Sequence, residues 1–476
     1  MSWRPKIEQF SGPKYLAICD AIEGDIRCGN LKPSQRLPPH RDLAYELGVT
    51  TGTVARAYAE ATNRGLVVGE VGRGTFVNDT DTDRTRTSQL LVDESGRTEF
   101  LDLGLNLAAA ARTERVLRDT LNEVARSSSV ETLLSYQPAS GLKGHREAVV
   151  TWLRRWKLST HPDNVMICNG AQNGILLSMM ALLKPGDRMA VEMLTYPGVK
   201  AVAHQLGVNL VGIAMDEHGL IPDALRETCR QKRPTVLYCI PVLHNPTTAT
   251  MPQERIQEIA QIAEEYNLWI IEDDVYGFLS DQRPSPIAEV LPERTIYVSS
   301  ASKSMAPGLR TGFLVVPRPL QSVFNAVATM SSWMSSPLTT EVFVNWLKSG
   351  YADSLIAWHR HEASERQRIA RETLGDLVQH GPGASYHLWL NLPEQWRMDT
   401  FARTALDAGV RVLTADTFSV RGDYCPHAVR LCLGPAHSAP QIRTALGMLA
   451  DILSTVPRPR MDLSIVADTS PKLPGP

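Results

Sequence analysis

The sequence predicts an α/β protein with a mostly parallel central sheet and helices on both faces, preceded by a small, mainly helical domain. Three observations lead to this prediction. From about residue 99 to 455, short apolar runs alternate with helical patterns, which is typical of a parallel sheet with helical crossovers. Residues 1–78 show helical periodicity followed by a glycine-rich hairpin pattern. Between these regions, residues 79–98 are polar and rich in Asp and Thr, so we expect a flexible linker.

The composition is that of a soluble globular protein with more than one domain. The chain has 476 residues, of which 43% are hydrophobic and 21% are charged. Its net charge of −2 provides no overall attraction to nucleic acid, so DNA binding would need a local basic surface. No apolar run approaches membrane-spanning length, and the N-terminal residues contain no signal core. We therefore expect a cytoplasmic protein with no membrane partner.

The seven cysteines are scattered along the chain and form no C-x-x-C pair. This pattern indicates reduced, mostly buried thiols. We expect neither disulfides nor a metal site.

The first domain contains three predicted helices. The first begins near Tyr15, and the second is expected from about His40 to Leu47. After the turn Gly48-Val49, Thr50 is suited to cap the third helix. Inward positions of the first and third helices, which repeat with helical spacing, are Tyr15, Ile18, Ile22, Ile26, Val54, Ala57, Tyr58 and Ala61.

Helix, glycine-bearing turn and helix form the layout of a helix-turn-helix, whose second helix can lie in the major groove. Two β-type runs around Gly72-Arg73-Gly74 predict a hairpin wing, from which Arg73 can reach the minor groove. A winged helix used for protein contacts is the alternative, but exposed Arg and Thr favour DNA. Residues 1–78 hold ten Lys and Arg against eight Asp and Glu, a balance of +2. Affinity should therefore depend on a few placed arginines and on dimerisation.

Over about residues 10–78 the sequence resembles the winged helix of the GntR regulator family. The matching motifs are R-L-P-P-H-R-D-L-A at Arg36–Ala44, L-G-V-T-T-G-T-V at Leu47–Val54 and G-R-G-T-F-V at Gly72–Val77. The resemblance implies binding to an operator in double-stranded DNA. The implied contacts are to phosphates for Arg36 and Arg41, to the groove for Thr50, Thr51 and Thr53, and to the backbone or minor groove for Arg56 and Arg73.

In the second domain, seven apolar runs have the length and composition of strands. They are Val165–Cys168, Met189–Val191, Leu210–Ile213, Val236–Ile240, Trp269–Ile271, Thr295–Val298 and Phe313–Val316. Segments between them, such as Pro252–Tyr266, have helical periodicity. From 456 to 476 the chain has no such pattern, and we expect a disordered tail.

Polar side chains follow four of these strands. After the first strand, the turn Asn169-Gly170-Ala171 leads into a helix, and such a turn presents free amides to an anion. Asn245 follows the fourth strand, Asp273 and Tyr276 follow the fifth, and Lys303 follows the sixth. Since carboxyl ends of parallel strands meet at one edge of a sheet, we expect one site there.

Lys303 lies among small hydroxyl residues. Partial burial lowers the pKa of a lysine and frees its amine to attack an aldehyde. Ser300, Ser302 and Arg310 could hold a phosphate close by. An aldehyde and a phosphate together suggest pyridoxal phosphate, whereas a Ser-Lys-Ser loop taken alone is more often a solvated turn.

The other strand ends supply what this cofactor needs. Its pyridine nitrogen stays protonated beside a carboxylate, which Asp273 offers, and its 3′ oxygen needs donors, which Tyr276 and Asn245 offer. Tyr196, after another strand, could stack on the ring. Alternatively, Asp273 is a surface acid and Tyr196 an ordinary core residue. Asp274 is expected to be an exposed neighbour or a helix cap.

Residues from about 100 to 455 resemble a fold-type-I aminotransferase, a pyridoxal-phosphate-dependent fold. The matching motifs are Y-Q-P-A-S-G-L at Tyr136–Leu142, N-G-A-Q at 169–172, H-N-P-T at 244–247, D-D-V-Y at 273–276, S-A-S-K-S-M-A-P-G-L-R at 300–310 and V-R-L at Val429–Leu431. Two positions depart from the family pattern. Ala171 replaces a small hydroxyl residue, and Thr248 stands where Gly is usual.

The resemblance implies a role for each matching residue. Lys303 would bind the cofactor covalently, Asp273 would pair with its pyridine nitrogen, and Asn245 and Tyr276 would bind its 3′ oxygen. Implied phosphate contacts are Gly170, Ala171, Ser300, Ser302 and Arg310. Implied outer contacts are Arg430 to a substrate α-carboxylate and Tyr136 to the phosphate of a neighbouring subunit, since sites of this family lie between two chains.

The order of winged helix, linker and aminotransferase-like domain resembles the MocR/GabR subfamily of GntR regulators. It implies a homodimeric transcription factor that binds pyridoxal phosphate and senses an amine, an amino acid or a vitamin B6 compound. One alternative is a working aminotransferase with an auxiliary DNA module. Another is a vitamin B6 sensor for which pyridoxal phosphate is the ligand. An enzyme alone would leave residues 10–78 without a purpose.

Overall fold

A computed structural model describes residues 3–5, 13–27, 30–32, 35–63, 66–70, 74–77, 100–106, 113–127, 130–378, 383–420, 425–434 and 437–455. The predicted linker at 79–98, the predicted tail at 456–476 and Arg73 of the wing lie outside these residues. The chain divides into two compact units, Met1–Gly96 and Arg97–Pro476.

Helices and strands are numbered in chain order. The helices are α1 (Lys14–Arg27), α2 (His40–Leu47), α3 (Thr51–Asn63), α4 (Glu114–Arg126), α5 (Val130–Leu134), α6 (Lys143–Arg154), α7 (Ala171–Leu182), α8 (Pro197–Leu206), α9 (Pro222–Lys232), α10 (Gln253–Glu265), α11 (Ile287–Val290), α12 (Gln321–Ser332), α13 (Pro337–Lys348), α14 (Tyr351–Leu374), α15 (Met398–Asp407) and α16 (Ala439–Leu453). The strands are β1 (Val67–Glu70), β2 (Gly74–Val77), β3 (Leu101–Asp102), β4 (Val165–Cys168), β5 (Arg188–Glu192), β6 (Asn209–Ile213), β7 (Met215–Asp216), β8 (Gly219–Leu220), β9 (Val236–Cys239), β10 (Trp269–Asp273), β11 (Thr295–Ser300), β12 (Gly312–Val315), β13 (His387–Asn391), β14 (Val410–Arg411), β15 (Leu413–Thr414) and β16 (Ala428–Cys432).

The three helices of the first unit pack around one apolar core. Helix α3 contacts both α1 and α2, and the predicted inward residues of α3 are all buried. Gly48 ends α2 with a left-handed backbone at φ +60°, which glycine adopts at little cost. The Thr50 hydroxyl accepts a hydrogen bond from the Thr53 amide at 3.2 Å. The predicted helix, turn and capped helix are therefore confirmed.

The wing is an antiparallel hairpin of β1 and β2, in which Val67 pairs with Val77. A third segment, residues 35–37, joins its edge. The Leu37 amide donates to the Thr75 carbonyl at 2.8 Å, and the Val77 amide donates to the Gln35 carbonyl at 2.8 Å. Pairing across the fold thus places Arg36 beside the hairpin.

The seven predicted strands of the second unit lie in one sheet, in the order β4-β12-β11-β10-β9-β5-β6. All neighbours are parallel except β12, which is antiparallel to both β11 and β4. Strands β4, β9 and β11 are buried along their whole length, as expected for a parallel sheet covered on both faces. The mostly parallel α/β prediction is confirmed.

Helices cover both faces of this sheet because alternate strand residues point to opposite sides. On one face, α7, α8 and α12 pack with Met166, Tyr238 and Val298. On the other, α6, α13 and α14 pack with Val165 and Tyr297, while α9, α10 and α11 cover the strands nearer β6. No described helix combines the length and apolarity needed to span a membrane.

A smaller antiparallel sheet, in the order β13-β16-β15, packs with α15, α16 and the end of α14 around its own core. The sequence signalled this sheet only through the V-R-L motif. In register, Trp389 lies opposite Arg430 and His387 opposite Cys432. Strand β3 pairs with β14. This pairing brings residues 101–106 to the sheet that carries Arg430.

Candidate cofactor site

The polar side chains predicted at the strand ends meet at one edge of the central sheet. Strands β4, β9, β10 and β11 run in the same direction, so their carboxyl ends lie together. Direct hydrogen bonds connect several of these groups. Arg430 reaches Asn245, while Asn106 joins Tyr276 to Lys303.

Lys303 is largely enclosed in the turn that follows β11. Its Nζ donates to the Asn106 carbonyl at 2.5 Å. Burial, together with the nearby Arg430 and Arg310 guanidinium groups, lowers the pKa of this amine to about 8. About a tenth of the amine is therefore unprotonated at pH 7, and this is the form that attacks an aldehyde.

Asp273 ends β10 and is 3% exposed. The Tyr238 hydroxyl donates to Asp273 Oδ2 at 2.7 Å. The other oxygen, Oδ1, is buried and has no partner in the described part of the chain. Burial raises the pKa of Asp273 to about 7, against the lowering effect of the Tyr238 hydrogen bond. The carboxylate therefore offers one oxygen to a cationic ligand. Tyr238 was missed as a site residue because it lies within an apolar strand pattern.

The structure corrects the prediction made for Asp274. The sequence predicted an exposed side chain, but Asp274 is buried, with 4% of its surface exposed. It forms an ion pair with Arg283 at 2.6 Å. The Tyr297 hydroxyl also donates to its carboxylate. The two adjacent carboxylates therefore differ in charge pairing. Asp274 has an arginine counter-ion, whereas Asp273 has only the Tyr238 hydroxyl among the described side chains; the Oδ1 atom of each has no hydrogen-bond partner there.

Arg430 is a buried cation without an acidic partner among the described residues. Its Nη1 donates to Asn245 Oδ1 at 2.8 Å, and its Nη2 donates to the Gly104 carbonyl. Its Nε has no described partner, and the guanidinium lies 4.8 Å from the Phe418 ring centre. Because the Asn245 oxygen accepts from Arg430, the nitrogen of that amide is left as a donor. A buried cation in this state favours an anionic ligand.

Tyr276 is buried, and burial raises the pKa of its hydroxyl, which therefore keeps its proton. Asn106 Nδ2 donates to this hydroxyl at 3.0 Å. Sequence reasoning missed Asn106 and Gly104, because neither lies in a strand-end motif. Only their contacts with Tyr276, Lys303 and Arg430, far along the chain, place them in the site.

The turn after β4 and the Lys303 loop together form an anion cradle. Helix α7 begins at Ala171 with Gly170 as an N-cap that provides no side-chain hydrogen bond, so its first amides are free. A Cβ at Gly170 would come within 2.5 Å of Arg310 Nη2. Ser302 Oγ is buried without a described partner, while Ser300 Oγ accepts from the Ser302 amide at 3.3 Å.

Three further residues differ in their relation to this site. Tyr196 precedes α8. Burial is the main cause that raises the pKa of its hydroxyl, and the negative charge of Asp273 is the second cause. The phenol and this carboxylate are therefore neighbours. Tyr136 is 83% exposed, and its ring lies tilted against that of Trp333 with ring centres 5.9 Å apart. No described contact joins it to the site of its own chain. Thr248, where the resemblance implied Gly, adopts a left-handed φ of +65°.

The residues present fit pyridoxal phosphate. Unpaired buried polar atoms cost about 1–3 kcal/mol each, so Asp273 Oδ1, Ser302 Oγ and Arg430 Nε favour a ligand that pairs with them. A protonated pyridine suits the first, a phosphate the second and a carboxylate the third. The Lys303 amine lies in the same site, where its Nζ contacts the Asn106 carbonyl.

In the first unit, the predicted DNA contacts occupy α2, α3 and the wing edge. Arg36, Arg41, Thr50, Thr51 and Arg56 are exposed, and Thr53 is half-buried. The Arg36 side chain lies across Gly74, where a Cβ would be 2.8 Å from its Nε. Arg56 stacks on the Tyr15 ring at 4.0 Å. Arg73 lies outside the described residues.

Comparison with known proteins identifies a family for each of the two units. The model of bacterial regulatory proteins, gntR family, matches residues 14–77, and that of aminotransferase class I and II matches residues 98–449. YdeF of Bacillus subtilis (strain 168), an uncharacterized HTH-type transcriptional regulator, is 32% identical over 454 residues, covering 95% of this chain and 97% of that protein. The probable rhizopine catabolism regulatory protein MocR of Rhizobium meliloti is 27% identical over 384 residues, covering 75% and 76%. The chain belongs to the MocR/GabR subfamily of GntR regulators.

Its second domain belongs to the aminotransferase class I and II family, with pyridoxal phosphate as the cofactor that membership implies. The fold agrees with a solved structure. An archaeal alanine:glyoxylate aminotransferase matches with a TM-score of 0.70 at 22% identity, covering 83% of this chain and 98% of that chain. This MocR/GabR-type regulator therefore combines a DNA-binding winged helix with an aminotransferase fold.

Proposed function

We propose that this regulator binds its operator as a homodimer and that an amine, amino acid or vitamin B6 compound changes its DNA affinity through pyridoxal phosphate at Lys303. The domains are residues 1–78 for DNA binding, 79–98 as linker, 99–455 for the cofactor and 456–476 as tail, in a cytoplasmic protein. One observation carries the proposal. A chain with a GntR winged helix also holds a buried site whose carboxylate, hydroxyl and guanidinium atoms await a ligand.

Pyridoxal phosphate supplies an aldehyde that condenses with amines and a ring that withdraws electrons. Lys303 provides the amine that holds it, and Asp273 keeps a proton on its pyridine nitrogen. Asn245 and Tyr276 donate to its 3′ oxygen, and Tyr196 covers the ring. The phosphate is bound by Gly170, Ala171, Ser300, Ser302 and Arg310. An effector shifts the DNA affinity only to the extent that it binds one domain arrangement better than another.

Arg430 is the residue that selects a carboxylated effector, because its buried guanidinium has no acidic partner among the described side chains. We expect Arg430→Lys to raise the concentration of amino acid that half-changes the visible absorbance of the loaded protein by about 10- to 100-fold, since lysine cannot form the bidentate pair. The response to amines without a carboxylate should be unchanged. An equal loss for both ligand classes would show that Arg430 does not read the carboxylate.

The exposed apolar residues around Tyr136 support a homodimer. Leu134 is 77% exposed, Met330 71% and Trp333 58%. The Gln137 amide donates to Met334 Sδ at 3.1 Å, so the two segments form one surface. Trp333 also holds a left-handed φ of +64°, which is strained for an aromatic residue. An exposed aromatic cluster of this kind suits the burial of a second subunit, with Tyr136 reaching that subunit's phosphate.

A working aminotransferase is the second candidate, favoured by the presence of Lys303, Asp273 and Arg430 in one site. It predicts turnover with a keto acid and no specific operator binding. A pure vitamin B6 sensor predicts instead that DNA affinity changes when pyridoxal phosphate alone is added.

The deciding experiment is a titration of the protein against the upstream region of its own gene, with and without pyridoxal phosphate and then with amino acids and amines. We expect specific binding that shifts with cofactor or amine. Arg73→Ala should weaken operator binding about 10-fold, by loss of a minor-groove contact, and leave cofactor absorbance unchanged. Arg318→Ala, in the second unit, is the control. No specific binding, together with keto-acid-dependent turnover, would establish the enzyme instead.

A further inference from the structure

The stretch from Leu101 to Asn106, here called the entry segment, contacts three site side chains. Its Gly104 carbonyl accepts from Arg430, and its Asn106 carbonyl accepts from Lys303. The Asn106 side chain donates to the Tyr276 hydroxyl at 3.0 Å. The site residues predicted from the sequence leave this segment out.

The hydrogen bond between Asn106 and Tyr276 has a fixed direction. A hydroxyl has one proton to donate and two lone pairs that accept, whereas the Asn106 NH₂ group can only donate. The Tyr276 oxygen therefore accepts from Asn106, and its own proton points to a different acceptor. Within the described residues the Tyr276 hydroxyl has no other hydrogen-bond partner. Its proton is thus available to a ligand oxygen.

The side-chain oxygen of Asn106, Oδ1, is buried and also has no hydrogen-bond partner among the described residues. The backbone carbonyl of the same residue, Asn106, accepts a hydrogen bond from the Lys303 amine. An unpaired buried acceptor is costly unless a ligand donor meets it.

We propose that Asn106 is a positioning residue of the cofactor site, which orients the Tyr276 hydroxyl as a donor to the 3′ oxygen of pyridoxal phosphate. This inference rests on the proposed function, because it requires the cofactor to bind beside Lys303. Asn106 acts through Tyr276. It sets the direction of one hydrogen bond and so the charge on the ring oxygen.

The proposal is testable because the entry segment is held by its backbone. The Leu101 amide donates to the Gly409 carbonyl at 2.8 Å, the Leu103 amide to the Arg411 carbonyl at 2.9 Å, and the Cys432 amide to the Leu103 carbonyl at 2.7 Å. Changes confined to the Asn106 side chain leave these bonds in place. The variants should therefore fold.

The experiment is a pH titration of the visible absorbance of the cofactor-loaded full chain. A hydrogen-bond donor to the 3′ oxygen of the ring reduces the negative charge on that oxygen. When the donor is lost, the oxygen carries more negative charge and holds a neighbouring proton more strongly. The pH-dependent change in visible absorbance then moves to higher pH. We expect Tyr276→Phe to raise the transition by about one pH unit. Asn106→Asp should raise it as much, because a carboxylate accepts the Tyr276 proton. Asn106→Leu should raise it by less, since the hydroxyl is then free to rotate.

The decisive comparison is Asn106→Leu in the Tyr276→Phe background. If Asn106 acts through Tyr276, the second change adds no further shift. Additive shifts, or no shift with either Asn106 variant, would overturn the inference while leaving the proposed function intact. Failure of the wild-type protein to take up pyridoxal phosphate would overturn both. Asn345→Leu, which removes an asparagine from α13, is the matched control and should leave the transition unmoved.

Discussion

Lys303→Ala is expected to abolish the visible absorbance that appears when the protein binds pyridoxal phosphate. We propose the amine of Lys303 as the nucleophile, and burial lowers its pKa to about 8. Without it the described site offers the aldehyde no other lysine amine among the residues named for it. The measurement is an absorbance spectrum of the reconstituted protein after removal of free cofactor. Retained absorbance would mean that the central assignment is wrong.

Lys303→Arg is the matched control for charge. Arginine preserves a cation at this position, but its pKa above 12 leaves no free amine to attack the aldehyde, so this variant should lose the absorbance as well. Lys143→Ala, an exposed lysine on α6, should keep it. In the wild type, the rate of cofactor attachment should rise with pH and level off above about 8, because the amine loses its proton there.

Asp273→Asn is expected to weaken pyridoxal phosphate binding by about 100-fold, through the loss of the buried carboxylate that we propose as the partner of the protonated ring nitrogen. The same change should not lower the melting temperature of the cofactor-free protein. Asp273 has a pKa raised from 3.8 to about 7, so the folded protein holds a proton that the unfolded chain releases. The carboxyl group therefore costs stability above pH 3.8, by about 4 kcal/mol at pH 7 and higher. The amide removes that cost.

Asp274→Asn provides the opposite result from the neighbouring position. It leaves Arg283, which is 4% exposed, without its counter-ion. Breaking such a buried pair costs about 3–5 kcal/mol, so the melting temperature should fall by roughly 5 °C or more. Thermal melts and cofactor titrations of both variants separate the two roles. If both carboxylates behaved alike, the distinction based on the Arg283 counter-ion of Asp274 would be refuted.

The sequence was informative wherever a pattern is local. Periodic apolar residues predicted α2 and α3, and the Thr50 hydroxyl caps α3 by bonding three residues away. Continuous apolar runs predicted the seven strands, since a sheet covered on both faces needs apolar side chains on both sides. The strand-end rule brought Lys303 and Asp273 to one edge because strand direction alone determines it.

Only the tertiary structure decided which distant residues form hydrogen bonds and ion pairs with the side chains of the site. Asp273 and Asp274 are chemically identical neighbours, and the position of Arg283 decides which of the two has a counter-ion within the protein. Asn106 lies 197 residues from the Lys303 amine that it accepts from. No local pattern encodes such a contact, because hydrogen-bond direction and burial depend on which segments pack together. The sequence by itself therefore determined the two domains, the sheet and the chemical groups of the site, while packing decided which of their atoms remain free for a ligand.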